Sequence, residues 1–471
     1  MLFNSLHFLG FFPAVCILYR ILPQKYRNLF LLSASYYFYM SWKPVYGLLI
    51  LFSSLVTWIA GIYIAKQSER KSQKRMLIIS LIANFAVLFV FKYAGFFSSL
   101  INQTLGFAQI RMQLPPMELL LPIGISFYTL QVTAYVIDVF RGEIKPERNF
   151  LRYALFAAFF PQLVAGPIER AKNLLPQFRQ EHRFDGNEFI DGIKTMAWGY
   201  FMKLCIADRL APYVDAVFNN YLMHNGASLL LGTFFFTFQI FCDFAGYSLI
   251  ALGIAKCLGF NLTLNFKRPY LSPDIKSFWR RWHCSLSSWF ADYVYIPLGG
   301  NRCPLYRHLF NLFITFVISG LWHGANWTFL IWGAYHGLLM LFYVLKNRLL
   351  PKIKIHSPFQ TAISVFFTLI IVMFGWIFFR ANDVESAFSI IKKIFTEPGM
   401  LYKGNGIPDI ILALFCIGLL MFKEIKDEMA WNIHLIHNKN EVISLISLSL
   451  LISFIILSAD FSGGAFIYFQ F

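Results

Sequence analysis

His323 closes a strongly apolar run, residues 309–322, and Gly324-Ala325-Asn326 follows it at once, before a second apolar run from Trp327 to Leu345. An ionisable ring at the turn of a hydrophobic hairpin is costly to keep inside a bilayer and usually has a task. Imidazole has an unperturbed pKa of about 6.5, so it can accept a proton near neutral pH. The competing reading is a polar side chain hydrogen-bonded between two helices. A second histidine, His283, ends Phe278-Trp-Arg-Arg-Trp-His283, next to Arg280 and Arg281. It could act with His323 or rest at the membrane interface, where tryptophans gather. His336, on the run after His323, reads as structural support.

The elements that hold these rings must be membrane helices. Of 471 residues, 58% are hydrophobic and 14% charged, well below an ordinary soluble domain, and there are 54 Phe, 23 Tyr and 11 Trp. Tyr and Trp favour the membrane–water boundary. The first apolar run, with neither a basic leader nor a small-x-small site, reads as a retained span. Seven cysteines without a C-x-x-C pair read as small hydrophobes, so neither a disulfide framework nor a metal site is expected. The net charge of +17, from 41 Lys+Arg against 24 Asp+Glu, falls in alternate loops. That is the positive-inside pattern and not a nucleic-acid surface.

Apolar runs near 6–22, 28–42, 46–66, 77–99 and 119–140 predict the first five spans. Residues 151–168 are flanked by basic loops and end in Phe160-Pro-Gln-Leu-Val-Ala-Gly-Pro167, which predicts a re-entrant hairpin. Irregular backbone at that depth requires protein or a water-filled chamber around it. Further spans are expected near 195–217, 228–250, 308–325, 327–346, 358–379, 407–423 and 441–459. Lys194, Lys203, Asp208 and Arg209 weaken the first of these. Twelve crossings put both termini outside the cytoplasm. The expected architecture is an all-α polytopic membrane protein, one integral domain over 1–471 with a distinct tail at 460–471.

Residues 265–340 carry longer signatures: Asn265-Phe-Lys-Arg-Pro-Tyr270, Phe278-Trp-Arg-Arg-Trp-His283, Asp292-Tyr-Val-Tyr-Ile-Pro-Leu-Gly-Gly-Asn-Arg302, Gly320-Leu-Trp-His323-Gly-Ala-Asn-Trp327 and Trp332-Gly-Ala-Tyr-His336. Together they resemble the membrane-bound O-acyltransferase (MBOAT) family. The likeness runs to its bacterial branch, which O-acetylates alginate, peptidoglycan or other surface polysaccharides. Ser33-Ala-Ser-Tyr-Tyr-Phe-Tyr39, Phe160 to Pro167 and Phe379-Arg-Ala381 support it across the chain. One position departs: after Asp243-Phe-Ala-Gly-Tyr-Ser248, Leu249 stands where such proteins often carry an acid.

The resemblance implies a bundle of about 11–12 transmembrane helices around a chamber, with His323 as the buried catalytic histidine and His283 as the second motif position. Trp322, Asn326, Arg280, Arg281 and Asn301 become candidate substrate-binding residues. Acyl transfer from a thioester to a hydroxyl needs a base for the proton and help for the oxyanion. The last residues, Phe466-Ile-Tyr468-Phe-Gln-Phe471, resemble a terminal Phe-x-Tyr-x-x-Phe acyl-transfer motif, so Tyr468 is a candidate acyl carrier, with an aromatic membrane anchor as the alternative. A phenol is only about 0.1% ionised at neutral pH and would need His323. Implied with this are acetyl-coenzyme A as donor, no bound cofactor, an SGNH-type periplasmic acetyltransferase partner, an extracytoplasmic polysaccharide, and residence in the bacterial inner membrane. Direct acylation of a membrane-associated glycan or teichoic acid is the alternative enzyme. A polysaccharide or lipid transporter is the alternative outside enzymes, although no repeated halves are visible.

Overall fold

A computed structural model describes residues 1–110, 112–115, 119–164, 166–350, 357–436, 438–460 and 466–467. The described residues form helices and connecting turns, with no strand among them. Among the described residues, six helical segments are long and apolar enough to cross a membrane: Pro44–Lys66, Arg70–Lys92, Gly226–Cys257, Trp327–Leu349, Pro358–Arg380 and Glu441–Ser458. Shorter apolar helices, Leu6–Ile21 and Phe150–Leu163, accompany them. This is a multi-pass membrane protein. Its contacts divide it into two compact units, residues 1–193 with 251–263, and residues 194–250 with 264–471.

The first unit contains α1 (Leu6–Ile21), α2 (Gln24–Met40), α3 (Gly47–Lys66), α4 (Arg70–Lys92), α5 (Ala94–Phe107), α6 (Ile125–Arg141) and α7 (Phe150–Ala158). The run expected as one span over 77–99 bends at Tyr93, where α4 hands over to α5. The run expected from 119 becomes helical only at Ile125, because Pro122 and the left-handed Gly124 (φ 75°) delay it. A side chain on Gly124 would also meet the Leu163 carbonyl oxygen at 2.5 Å.

The expected break in 151–168 is present. Helix α7 ends at Phe159, which leaves the helical region (φ −54°, ψ 110°), and one turn, Phe160–Leu163, follows. Buried irregular backbone needs polar partners. The Phe156 carbonyl accepts from the side-chain amides of Gln131 (2.6 Å) and Gln162 (2.9 Å), and the Ser35 hydroxyl accepts from Phe160 N–H.

After α8 (Gly186–Tyr200), which begins in the first unit, the second unit carries a π-helical stretch, Phe201–Ala207, and α9 (Asp208–Asn219). Then come α10 (Gly226–Cys257, whose last residues belong to the first unit), α11 (Ile275–Arg281), α12 (Cys284–Phe290), α13 (Leu305–His323), α14 (Trp327–Leu349) and α15 (Pro358–Arg380). The remainder is α16 (Val384–Thr396), α17 (Ile407–Glu428) and α18 (Glu441–Ser458). Helix α16 was not expected from the apolar runs. It is short and two-faced, burying Ala387 and Ile390 while exposing Phe388 and Phe395, as a helix lying in the interface would.

Helices α13 and α14 form the hairpin that carries His323, and glycines set how closely they approach. A Cβ on Gly320 would sit 2.2 Å from the Phe329 carbonyl oxygen, and one on Gly333 would sit 2.5 Å from the Phe316 oxygen. Small residues let membrane helices pack backbone to backbone. Gly320→Ala is therefore expected to push the hairpin apart and cost about 1–3 kcal/mol of overpacking. A thermal-shift measurement in detergent checks this; an unchanged melting temperature would contradict the contact.

Candidate active site

His323 is the last residue of α13, with 4% of its surface exposed. Its ring is edge-on to Trp322 (centroids 5.0 Å apart), Trp332 of α14 (5.0 Å) and Phe379 of α15 (5.2 Å). Three helices thus position one imidazole. The turn after it is fixed by Asn326, which caps α14 by accepting from Thr328 N–H (3.1 Å) and donates to the Asn382 carbonyl (2.9 Å). In this structure Asn326 is a fastener of the hairpin turn.

His283 is brought to the same neighbourhood. It joins α11 to α12 in a left-handed conformation (φ 43°), uncommon for a residue with a side chain, and is almost fully buried. Trp322 lies between the two motif histidines, 6.3 Å from His283 and 5.0 Å from His323 by ring centroids. Phe244 of α10 packs edge-on against His283 at 4.6 Å.

Asn265 holds this strained turn in place. Its carbonyl accepts from Cys284 N–H (2.8 Å), its side-chain oxygen accepts from the Ser285 hydroxyl (2.7 Å), and its amide donates to Ser248 of α10 (3.3 Å). Two signatures separated in sequence, around Asn265 and around His283, are therefore one structural device. Asn265→Ala would leave buried partners unsatisfied and release the left-handed turn. It is expected to cost about 1–3 kcal/mol and to lower activity more than an Asn265→Ser variant does, as compared by thermal shift and turnover.

The basic residues divide by role. The Arg281 guanidinium donates to Glu428 of α17 (2.8 Å), which also accepts from Arg268 (2.6 Å). Burial would raise the Glu428 pKa, but these two cations hold it below its ordinary value. Arg281 is thus engaged within the protein, whereas Arg280 is exposed. Asn301 is also exposed, at the turn made by Gly299 and Gly300 (φ 113° and 55°). His336 is fully buried among Trp279, Trp332 and Trp376 and has no hydrogen-bond partner on either ring nitrogen among the described residues, so packing positions it.

Tyr468 lies outside the described residues, but Phe466 and Ile467 before it are buried. Phe466 packs on Tyr247 (5.0 Å) and on Phe244 (5.7 Å), the same Phe244 that touches His283. The Ile467 N–H donates to Asp243 (2.7 Å). Asp243 also pairs with Lys203 (2.6 Å), and Lys203 with Asp208 (2.7 Å), all three side chains being at most 5% exposed. Lys203 and Asp208 read in the sequence as obstacles to a span. They are instead part of a buried ion group in which one cation is shared by two carboxylates, Lys203 lying in the π-helical stretch itself, and their signal was three charges of mixed sign inside apolar runs.

The region from residue 140 to 381, just over half the chain, matches the model of the membrane-bound O-acyltransferase family. The chain belongs to that family. It is 38% identical over 401 residues to the probable alginate O-acetylase AlgI of Pseudomonas aeruginosa, covering 84% of this chain and 75% of that one. It is 32% identical to the peptidoglycan O-acetyltransferase of Helicobacter pylori (83% and 79% covered). It is 29% identical to the teichoic acid D-alanyltransferase of Bacillus subtilis (57% and 71% covered). The protein is accordingly an acyltransferase. The family match contains His283, His323 and the α13–α14 hairpin, while the tail at 460–471 lies beyond it.

Proposed function

We propose that this acyltransferase takes an acetyl group from cytoplasmic acetyl-coenzyme A and delivers it outward for O-acetylation of an extracytoplasmic polysaccharide, with His323 as the base and Tyr468 as the carrier. The reading places the protein in the inner membrane with both termini outside. The observation that carries it is the ring series Phe466, Phe244, His283, Trp322, His323, whose successive centroids are 5.7, 4.6, 6.3 and 5.0 Å apart. That series links the segment before Tyr468 to both motif histidines. An aromatic anchor in the headgroup belt would have no need of the bond from Ile467 to Asp243.

In the transfer, the phenol oxygen attacks the thioester carbonyl carbon, the C–S bond breaks, and the phenolic proton passes to His323 and on to the departing thiolate. A periplasmic SGNH-type partner then moves the acetyl group from the tyrosyl ester to a sugar hydroxyl, restoring the phenol. The donor approach is favoured by a cavity of about 310 Å³. Lys267, Arg268 and Lys423 line it together with Glu424, Asp427, Ser248 and Phe266, and of these cations Arg268 is bonded to Glu428 and Lys423 to Asp427. Phe266 packs on both Trp282 and His283. The Lys267 ammonium there suits a phosphate of coenzyme A.

The test is intact-mass analysis of purified protein after a brief pulse of labelled acetyl-coenzyme A. One acetyl adduct is expected, lost in Tyr468→Phe and in His323→Gln. An adduct that survives Tyr468→Phe would reduce the tail to an anchor. Polymer movement without thioester consumption would instead favour transport.

A further inference from the structure

A second, larger cavity in the same unit, about 800 Å³, adjoins the first and shares Trp198, Leu249, Lys423 and Asp427 with it. Its walls are apolar: Trp198, Phe201, Phe422, Leu450, Leu451 and Phe454, from α8, the π-helical stretch, α17 and α18. Helix α18 itself is scarcely covered by protein, only 17% of its apolar window being buried, so the groove is flanked by a surface that belongs in hydrocarbon.

The two kinds of lining differ sharply. Lys194, Lys423, Lys426 and His434 line the cavity together with a single carboxylate, Asp427. Lys423 and Lys426 share that carboxylate at 2.8 and 2.9 Å, and Lys423 also lies 5.0 Å over the Trp198 ring. Counting the lysines against Asp427 leaves two positive charges in excess around the cavity. A long apolar groove with surplus ammonium groups matches an amphiphile with an anionic head. The volume lies in the range of about 300–1,000 Å³ usual for small-molecule sites.

We infer that this groove is a binding site for a membrane phospholipid with an anionic headgroup, an acyl chain lying between α17 and α18 and the phosphate among Lys194, Lys423 and Lys426. Lipid binding there does not require that acyl transfer runs as proposed above. It would hold α18, and with it the segment leading to the tail, against α17 in a manner sensitive to lipid composition.

Native mass spectrometry of the full-length protein tests this, using phosphatidylglycerol and phosphatidylethanolamine with identical chains. Phosphatidylglycerol is expected to be retained preferentially. Lys194→Gln and Lys426→Gln should each weaken it about fivefold without changing phosphatidylethanolamine binding. Leu450→Trp, which fills the groove, should remove both lipids. If that variant does not fold, the two lysine variants still decide. Equal retention of the two lipids, or lysine variants without effect, would overturn the site. So would one-for-one displacement of phosphatidylglycerol by coenzyme A, which would assign the groove to the donor instead.

Discussion

Replacing His323 with glutamine is expected to lower acetyl transfer by about 10²–10⁴-fold, the usual contribution of a positioned general base, while the protein remains folded. Glutamine approaches the volume of imidazole and keeps polar atoms, so the packing against Trp322, Trp332 and Phe379 is largely conserved. It cannot accept a proton near neutral pH. His323→Ala would confuse the loss of a base with a cavity among three aromatic rings, which by itself destabilises. Both variants should be measured for labelled acetyl release from acetyl-coenzyme A alongside a melting temperature. Glutamine at wild-type rate would remove His323 from the chemistry and leave it as a packing residue between α13, α14 and α15.

Much of this site was legible in the sequence because its signals are local. A histidine directly after a glycine-containing apolar run and before Gly-Ala-Asn marks a hairpin turn, and α13 and α14 bracket that turn at His323 and Trp327. The break in 151–168 was legible for the same reason, since Pro161, Gly166 and Pro167 cannot continue a helix. What could not be read was how separate segments meet. Asn265 stood only at the head of a signature, and its bonds to Ser248, Cys284 and Ser285 identify it as the clasp of the His283 turn. The ion pair of Arg281 with Glu428 could not be read, because the partner is 147 residues away. The cap that the Asn326 side chain makes on the helix it precedes likewise shows only in the folded turn. Charge clusters and asparagines are ambiguous in one dimension, because a cation's role depends on which carboxylate the fold brings to it.

Lys203 supplies the second large effect, on stability. Lys203→Met would remove the cation lying between Asp208 and Asp243 and leave two buried carboxylates facing each other. Breaking a buried ion group by deleting one partner costs about 3–5 kcal/mol, so a marked fall in melting temperature is expected. Removing all three charges is another matter. A Lys203→Met, Asp208→Asn, Asp243→Asn triple variant leaves none of the group's charges uncompensated and is expected to recover most of that loss, because well-packed neutral replacements of buried ion groups are often tolerated. A single variant as stable as the wild type, or a triple variant worse than the single, would refute the view that Lys203 holds the two carboxylates together. The comparison also separates stability from function. The Asp243→Asn change within the triple variant keeps an oxygen for the Ile467 N–H but withdraws the charge that strengthens that bond. If the segment before Tyr468 must be held beside Phe244 for acetyl transfer, the triple variant should melt near the wild-type temperature and still form the acetyl adduct more slowly.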